Sequence, residues 1–175
     1  MLKKAVIIPT GDEIFEGIVI DTNSPALMGL LLEYFPAIEV KRKRPTPDRA
    51  GAIQDAVSEA VKSDADLVLI TGGSGGGQKY DPSLARDCTH SAILKMVPQA
   101  ASKEIYGLNG HLWSKLVVGR INNTLIITLP GPTVEALAGG RAAVEAIRQN
   151  MSEEQIVAAV AEAVLMQFPK GGEIR

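Results

Sequence analysis

The stretch Asp66-Leu67-Val68-Leu69-Ile70-Thr71-Gly72-Gly73-Ser74-Gly75-Gly76-Gly77 decides the fold. Leu67–Ile70 is a continuous apolar run bounded by polar residues, as expected of a strand buried on both faces. Such strands belong to parallel sheets covered by helices. Five glycines then fall within the seven residues Thr71–Gly77. Each costs backbone entropy on folding, so a folded domain keeps such a cluster where the chain must approach something closely or take positive φ. In an open α/β sheet, ligands bind outside the carboxyl ends of the strands. A glycine loop there exposes successive N–H groups that form an anion-binding concavity, and the next helix adds its positive end. Thr71 and Ser74 add hydroxyl donors, so the group suits a phosphate. The loop lacks the Gly-Lys-Ser/Thr triplet of a P-loop and the third glycine of the dinucleotide fingerprint. A surface turn without ligand is the plainer alternative.

Outward from this loop, strands and helices alternate. Ala5–Ile8 reads as a short buried strand, and Asp21-Thr22-Asn23-Ser24-Pro25 as a helix start, with Leu27, Leu30, Leu31 and Tyr34 at helical spacing. Ile38–Lys43 is expected to be a strand. Thr46-Pro47-Asp48 opens a helix whose stripe is Ala50, Ile53, Val57, Ala60 and Val61. Beyond the loop, Pro82–Val97 reads as helix and Gly107–Gly119 as irregular or weakly extended. Leu116–Ile121 and Thr124–Leu129 form a hairpin about Asn122-Asn123. Pro130–Thr133 starts a helix running to Gln149, and Ser152 with Gln155 is a capping box for the last helix. The expected fold is a three-layer α/β/α sandwich with a mostly parallel sheet and a late β-hairpin.

The chain has 175 residues, so one domain over residues 1–169 is expected, with residues 170–175 as a frayed tail. The net charge of -2 gives no global attraction to nucleic acid or anionic membrane. One cysteine, Cys88, rules out an internal disulfide framework, and no apolar run approaches the ~20 residues of a membrane span. Cytoplasm is the expected location. Cys88 and His90 lie two apart, His111 and Trp113 are read as isolated in a loop, and Lys41–Arg44 as a solvated strand end rather than a nucleic-acid patch.

Asp12 and Glu13 follow the first strand, and Asp81 follows the glycine loop, so these carboxylates could face one crevice. Beside a phosphate they would need a cation between, and Mg²⁺ takes a carboxylate or two together with phosphate oxygens. Asp81 before Pro82 also reads as a helix cap, which is compatible with that role.

Gly11-Asp12-Glu13, Asp21-Thr22-Asn23-Ser24, Thr71-Gly72-Gly73-Ser74-Gly75 with Asp81, and Leu129-Pro130-Gly131-Pro132 occur in that order. Taken together, over about residues 5–148, they resemble the molybdopterin-binding domain of molybdenum-cofactor biosynthesis proteins and competence-damage-inducible proteins. The resemblance implies a three-layer α/β fold, often trimeric, with a site for molybdopterin or its adenylylated form. It implies that Thr71, Gly72, Gly73, Ser74, Gly75 and Asp81 hold the pterin phosphate and Mg²⁺. Asp12 corresponds to the acidic residue after the first strand and is, with Asp81, a catalytic candidate. Pro130 and Gly131 would line the same crevice. Three functions stay open. One is an enzyme of cofactor assembly, adenylylating the pterin phosphate from ATP or inserting metal. The others are a nucleotide pyrophosphatase of the competence-damage type and a non-catalytic pterin-binding module. The ligand is a small pterin or nucleotide, not a nucleic acid, and a homo-oligomer is expected.

Overall fold

The computed structural model describes residues 2–75, 87–168 and 170–175. Seven strands form one sheet in the order β2-β1-β3-β6-β5-β4-β7. They are β1 (Lys4–Pro9), β2 (Glu39–Arg42), β3 (Leu67–Thr71), β4 (Ala101–Gly107), β5 (Leu112–Ile121), β6 (Thr124–Leu129) and β7 (Gly172–Ile174). β1 pairs in parallel with β2 and β3, and β3 with β6; β5, β4 and β7 continue the sheet antiparallel. The expected α/β class and the hairpin about Asn122 are both present, and Asn122 takes the positive φ of 53° that its turn requires.

Alternation along the central strands explains the layers, because successive side chains leave opposite faces of a strand. Ile7, Leu67, Leu69, Ile127 and Leu129 point to one side, where α2 (Asn23–Tyr34), α5 (Thr133–Arg148) and α6 (Glu153–Leu165) cover them. Val6, Ile8, Val68, Ile70 and Ile126 point to the other, under α3 (Ala50–Lys62) and α4 (Thr89–Met96). Among the described residues, no helix is long and apolar enough to cross a membrane.

Several expectations are corrected. β4 has no counterpart in the sequence reading, and residues 112–119, read as irregular or weakly extended, belong to β5. Both strands carry polar residues where alternation would have shown, and a register shift between Ile105 and Tyr106 breaks the period. The tail does not fray: residues 172–174 pair with β4, and Arg175 and Glu104 exchange two backbone hydrogen bonds of 2.9 Å. Residues 12–15, directly after β1, make a one-turn helix, α1 (Asp12–Phe15), that the sequence reading did not contain. Of the helix expected over 82–97, residues 82–86 lie outside the described residues, and α4 begins only at Thr89. Arg49 rather than Thr46–Asp48 precedes α3, with no side-chain cap. The basic run pairs locally: Lys41 with Glu39, Arg42 with Asp21, and Lys43 with Glu59.

Gly139 and Gly140 lie within α5, where glycine costs about 1 kcal/mol against alanine. A Cβ at Gly140 would come within 2.6 Å of Leu27 Cδ2 on α2. The two glycines therefore let α5 lie close on its neighbours. Gly140→Val gains helix propensity of under ~1 kcal/mol, while overpacking costs ~1–3 kcal/mol. Thermal unfolding should show net destabilisation; an unchanged or raised Tm would mean that the contact gives way freely.

Candidate functional site

The chain leaves β1 for β2 on one side and returns to β3 on the other, so strand order reverses between β1 and β3. Ligands bind at such a switch point, outside the carboxyl ends of the strands. Here those ends are Thr10-Gly11, Thr71-Gly72 and, one strand further, Pro130-Gly131. They open on a cleft of about 780 Å³ whose walls include Gly11, Glu13, Gly72–Gly75, Asp87, Trp113 and Glu135.

The three turns are stitched together. Thr10 N–H donates to Thr71 O (2.8 Å), and Gly72 N–H donates to Leu129 O (3.1 Å). Buried Asn23 gives both protons of its amide, one to Thr71 Oγ1 (2.8 Å) and one to Gly131 O (2.7 Å). The Thr71 hydroxyl passes its own proton to Pro130 O (2.9 Å). At Gly72, φ is 106°, and a side chain would collide with the Thr10 carbonyl. Gly73, at φ 61°, has the Thr89 hydroxyl where a Cβ would go. These two positions therefore require glycine for both conformation and space.

The loop's carbonyls are turned into the protein. Gly73 O accepts from Thr89 N at the start of α4 (3.1 Å), and Ser74 O accepts from Lys115 N on β5 (2.7 Å). Ser114, buried on β5, donates its hydroxyl to Ser74 Oγ (2.8 Å). β5 has room for this because its ladder with β6 ends at Val118–Ile127, beyond which the Thr128 hydroxyl accepts from Val117 N (2.8 Å). In a trans peptide the C=O and the next N–H point in opposite directions. Fixing the carbonyls of Gly73 and Ser74 inward therefore turns the amides of Ser74 and Gly75 away from those anchors, and both residues line the cleft.

The donor set thus differs from the one expected. The Thr71 hydroxyl and the Gly72 amide are consumed within the fold, and Thr71 is absent from the cleft wall. Pro130 and Gly131 are brought to the wall beside Gly72–Gly75. Asp12 is turned aside: its Oδ1 accepts from Asp48 N (3.0 Å), and Asp48 Oδ2 accepts from Asp12 N (3.4 Å). Its neighbour Glu13 is the one on the wall. Asp81 lies outside the described residues.

Sequence reasoning missed Asp87, Glu135 and Trp113. Trp113 is no loop residue but lies on β5, with its ring 4.2 Å from that of Phe168. His111 reaches the wall from the turn before β5. Asn23 had a signal, since it sits in the quoted helix-start motif, yet nothing local reveals a bond to Gly131. Burial pushes the Glu135 carboxyl above its ordinary range. Burial holds His90 below the usual imidazole range, opposed by its hydrogen bond to the Gly75 backbone; Lys115 lowers it further, while Asp87 and Glu104 raise it. No lysine or arginine is among the described residues of the cleft wall, which carries three carboxylates, Glu13, Asp87 and Glu135. No three metal-binding side chains come together among the described residues.

A family model described as a probable molybdopterin binding domain matches residues 6–149. A CinA-like protein of Fervidobacterium nodosum is 28% identical over 176 residues, covering 86% of this chain and 42% of its own length. The chain thus spans about two fifths of that relative. Among solved structures, the molybdopterin biosynthesis enzyme MoaB of Thermus thermophilus superposes with a TM-score of 0.64 at 22% identity, over 93% of this chain and 98% of that one. The molybdopterin biosynthesis Mog protein of Mycobacterium ulcerans gives 0.63 at 19% identity, over 88% and 99%. At these identities the structures speak for the fold.

Two outcomes follow for the site. Asn23→Ala leaves the buried Thr71 hydroxyl oxygen without its donor, worth about 1–3 kcal/mol, and frees the cleft-facing Gly131 carbonyl as well, so Tm should fall by several degrees; an unchanged Tm would show that the stitch carries no weight. His90 has a folded pKa below its unfolded value, so its contribution is intact above about pH 6.5 and is lost as pH falls through the folded pKa. The Tm of wild type should drop between pH 7.5 and 5.5 more than that of His90→Gln. Equal slopes would contradict this.

Proposed function

The chain belongs to the molybdopterin-binding domain family, and we propose that its cleft holds molybdopterin or adenylylated molybdopterin by the terminal phosphate. The observation that carries this is the loop whose two carbonyls are tied inward, with Ser74 and Gly75 both lining the cleft. Gly131, where a Cβ would meet nothing nearer than 3.9 Å, keeps the approach free of a side chain. In this reading Thr71, Gly72 and Asp12 act as positioning residues.

A phosphate at that place needs counter-charge. The described wall carries the carboxylates of Glu13, Asp87 and Glu135, and a cation placed between such groups and the phosphate would supply it. Mg²⁺ would rest on one or two carboxylates and on the ligand's own oxygens, as that ion commonly does. Asp87 and Asp81 are the residues proposed to hold it, and its chemistry there is neutralisation of phosphate charge.

The activity proposed first is adenylyl transfer. A pterin phosphate oxygen attacks the α-phosphorus of ATP, a phosphoanhydride forms, and pyrophosphate leaves. Holding the two reactants in line is what this chain's residues contribute. Metal insertion using the adenylylated pterin is the companion activity in the same family setting. The likeness to CinA-like relatives favours a second reading, cleavage of a dinucleotide in the same cleft. A cytoplasmic location and a homo-trimer belong to the same proposal, and exposed Ile18, Ile20 and Val134 are apolar groups that self-association would cover.

Incubation with molybdopterin, ATP and Mg²⁺ should yield adenylylated pterin by mass spectrometry, with ADP-ribose left intact. AMP released from ADP-ribose, with no pterin product, would establish the second reading instead. In calorimetric titrations, EDTA should weaken pterin binding at least about tenfold, and Gly131→Val should weaken it at an unchanged Tm. Absence of binding to either ligand class would overturn both readings.

A further inference from the structure

Glu135 is the carboxylate of the cleft wall that the fold leaves without a partner. Of the other two, Glu13 and Asp87 are both engaged with further groups of the chain. Glu135 makes no hydrogen bond and no ion pair among the described residues, and burial alone moves its pKa. It stands in the first turn of α5, directly after exposed Val134. An acid in a first helical turn suits the helix dipole, which accounts for a negative charge at that position. The hydrogen bond that a glutamate commonly makes there is closed to it. In a capping box the carboxylate accepts from the backbone N–H of the residue that caps the helix. Here that residue is Pro132, which has no N–H. The carboxylate is thus released from the helix end, and Glu135 lines the cleft.

A half-buried carboxylate without a donor bears a desolvation cost that a hydrogen-bonding partner would offset. The ligand's phosphate cannot be that partner, because both groups are anionic. The cleft holds more than a phosphate: its volume of about 780 Å³ lies in the ~300–1,000 Å³ range of small-molecule sites. The turn into α5 also abuts the glycine loop, since a Cβ at Gly131 would stand 3.9 Å from Gly72 Cα. Glu135 is about one helical turn beyond Gly131, so a ligand anchored by phosphate at Ser74 and Gly75 has its remaining atoms in the same cleft as this carboxylate.

The two oxygens of a carboxylate accept together from a planar edge that carries two adjacent N–H donors. We propose that Glu135 is a specificity-determining residue, accepting from the adjacent ring N–H and amino group of a pterin whose phosphate sits at the glycine loop. Adenine presents an amino donor beside a ring acceptor, and a carboxylate repels that acceptor. Guanine carries the same donor pair as a pterin on a different ring. The inference rests on the reading of the cleft as a site for a ring-bearing phosphate, and it names the edge by which the ring is chosen.

The test compares pyrophosphate, AMP, GMP and 6-hydroxymethylpterin phosphate by calorimetry on the full chain with Mg²⁺. Wild type should bind the pterin phosphate at least about tenfold more tightly than AMP, as a bidentate pair discriminates. Glu135→Gln keeps the size of the side chain but turns one acceptor into a donor. It should weaken the pterin phosphate by about tenfold or more at an unchanged Tm, and leave pyrophosphate and AMP within about twofold. Glu135→Asp, which keeps the charge and shortens the reach, should give an intermediate loss. If AMP or GMP binds wild type more tightly than the pterin phosphate, the pterin is overturned as the ring. If Glu135→Gln leaves the pterin phosphate unchanged, or weakens pyrophosphate equally, the role of Glu135 in choosing the ring is overturned while the phosphate site stands. If wild type binds no probe, the functional reading falls and this inference with it.

Discussion

Two backbone hydrogen bonds, Thr89 N–H to Gly73 O and Lys115 N–H to Ser74 O, are the constraint on which the rest of this structure depends. They decide which way the glycine loop faces. A loop of this composition has little intrinsic preference, because glycine visits positive and negative φ alike. Tying down consecutive carbonyls removes that freedom and leaves consecutive amides directed elsewhere. An anion site of the proposed kind would not depend on any side chain of the loop. Its integrity depends on α4 and β5, two elements distant in sequence from the residues that would touch the ligand.

The sheet supplies the room. Reversal of strand order at β1 and β3 opens the crevice, and the early end of the β5–β6 ladder lets β5 lean out to meet Ser74. Thr128, fully buried, bridges the gap with its hydroxyl. On the far side, Asn23 ties the ends of β3 and β6 into one rigid rim. Asp21, just before the same helix, is half-buried, which would raise its pKa. Contacts with Ser24, including the Ser24 N–H at 2.9 Å, and with the Arg42 guanidinium outweigh that and hold it below the ordinary carboxylate range. The Asp-Thr-Asn-Ser motif is thus accounted for by what it fastens, with no ligand contact required.

What the sequence disclosed, and what it hid, follows from range. The continuous apolar run at Leu67–Ile70 and the stripe of α3 are local signals, and both elements stand where periodicity puts them. The capping box at Ser152 and Gln155 is equally local and is present with both of its hydrogen bonds. β7 is illegible because it owes its strand conformation to β4, far away in the chain, and β4, though it pairs with the neighbouring β5, is hidden by its polar residues and by the register shift between Ile105 and Tyr106. Gly107 and Gly172, paired across that distance, carry almost no β preference of their own. Trp113 reads as a loop residue because the polar residues around it break alternation; Ser114 is buried only because it bonds to Ser74, 40 residues earlier. The glycine loop is visible as a loop. That Thr71 and Gly72 serve as rivets while Ser74 and Gly75 face the cleft is a matter of hydrogen-bond partners, and composition does not encode partners.

The most direct test of the account follows backbone amide resonances of ¹⁵N-labelled protein during titration with pyrophosphate. The largest changes should fall on Ser74 and Gly75, with a smaller change at Gly72, whose amide is committed to Leu129 O. Saturable changes that leave Ser74 and Gly75 unmoved, or that centre on Gly72, would contradict it.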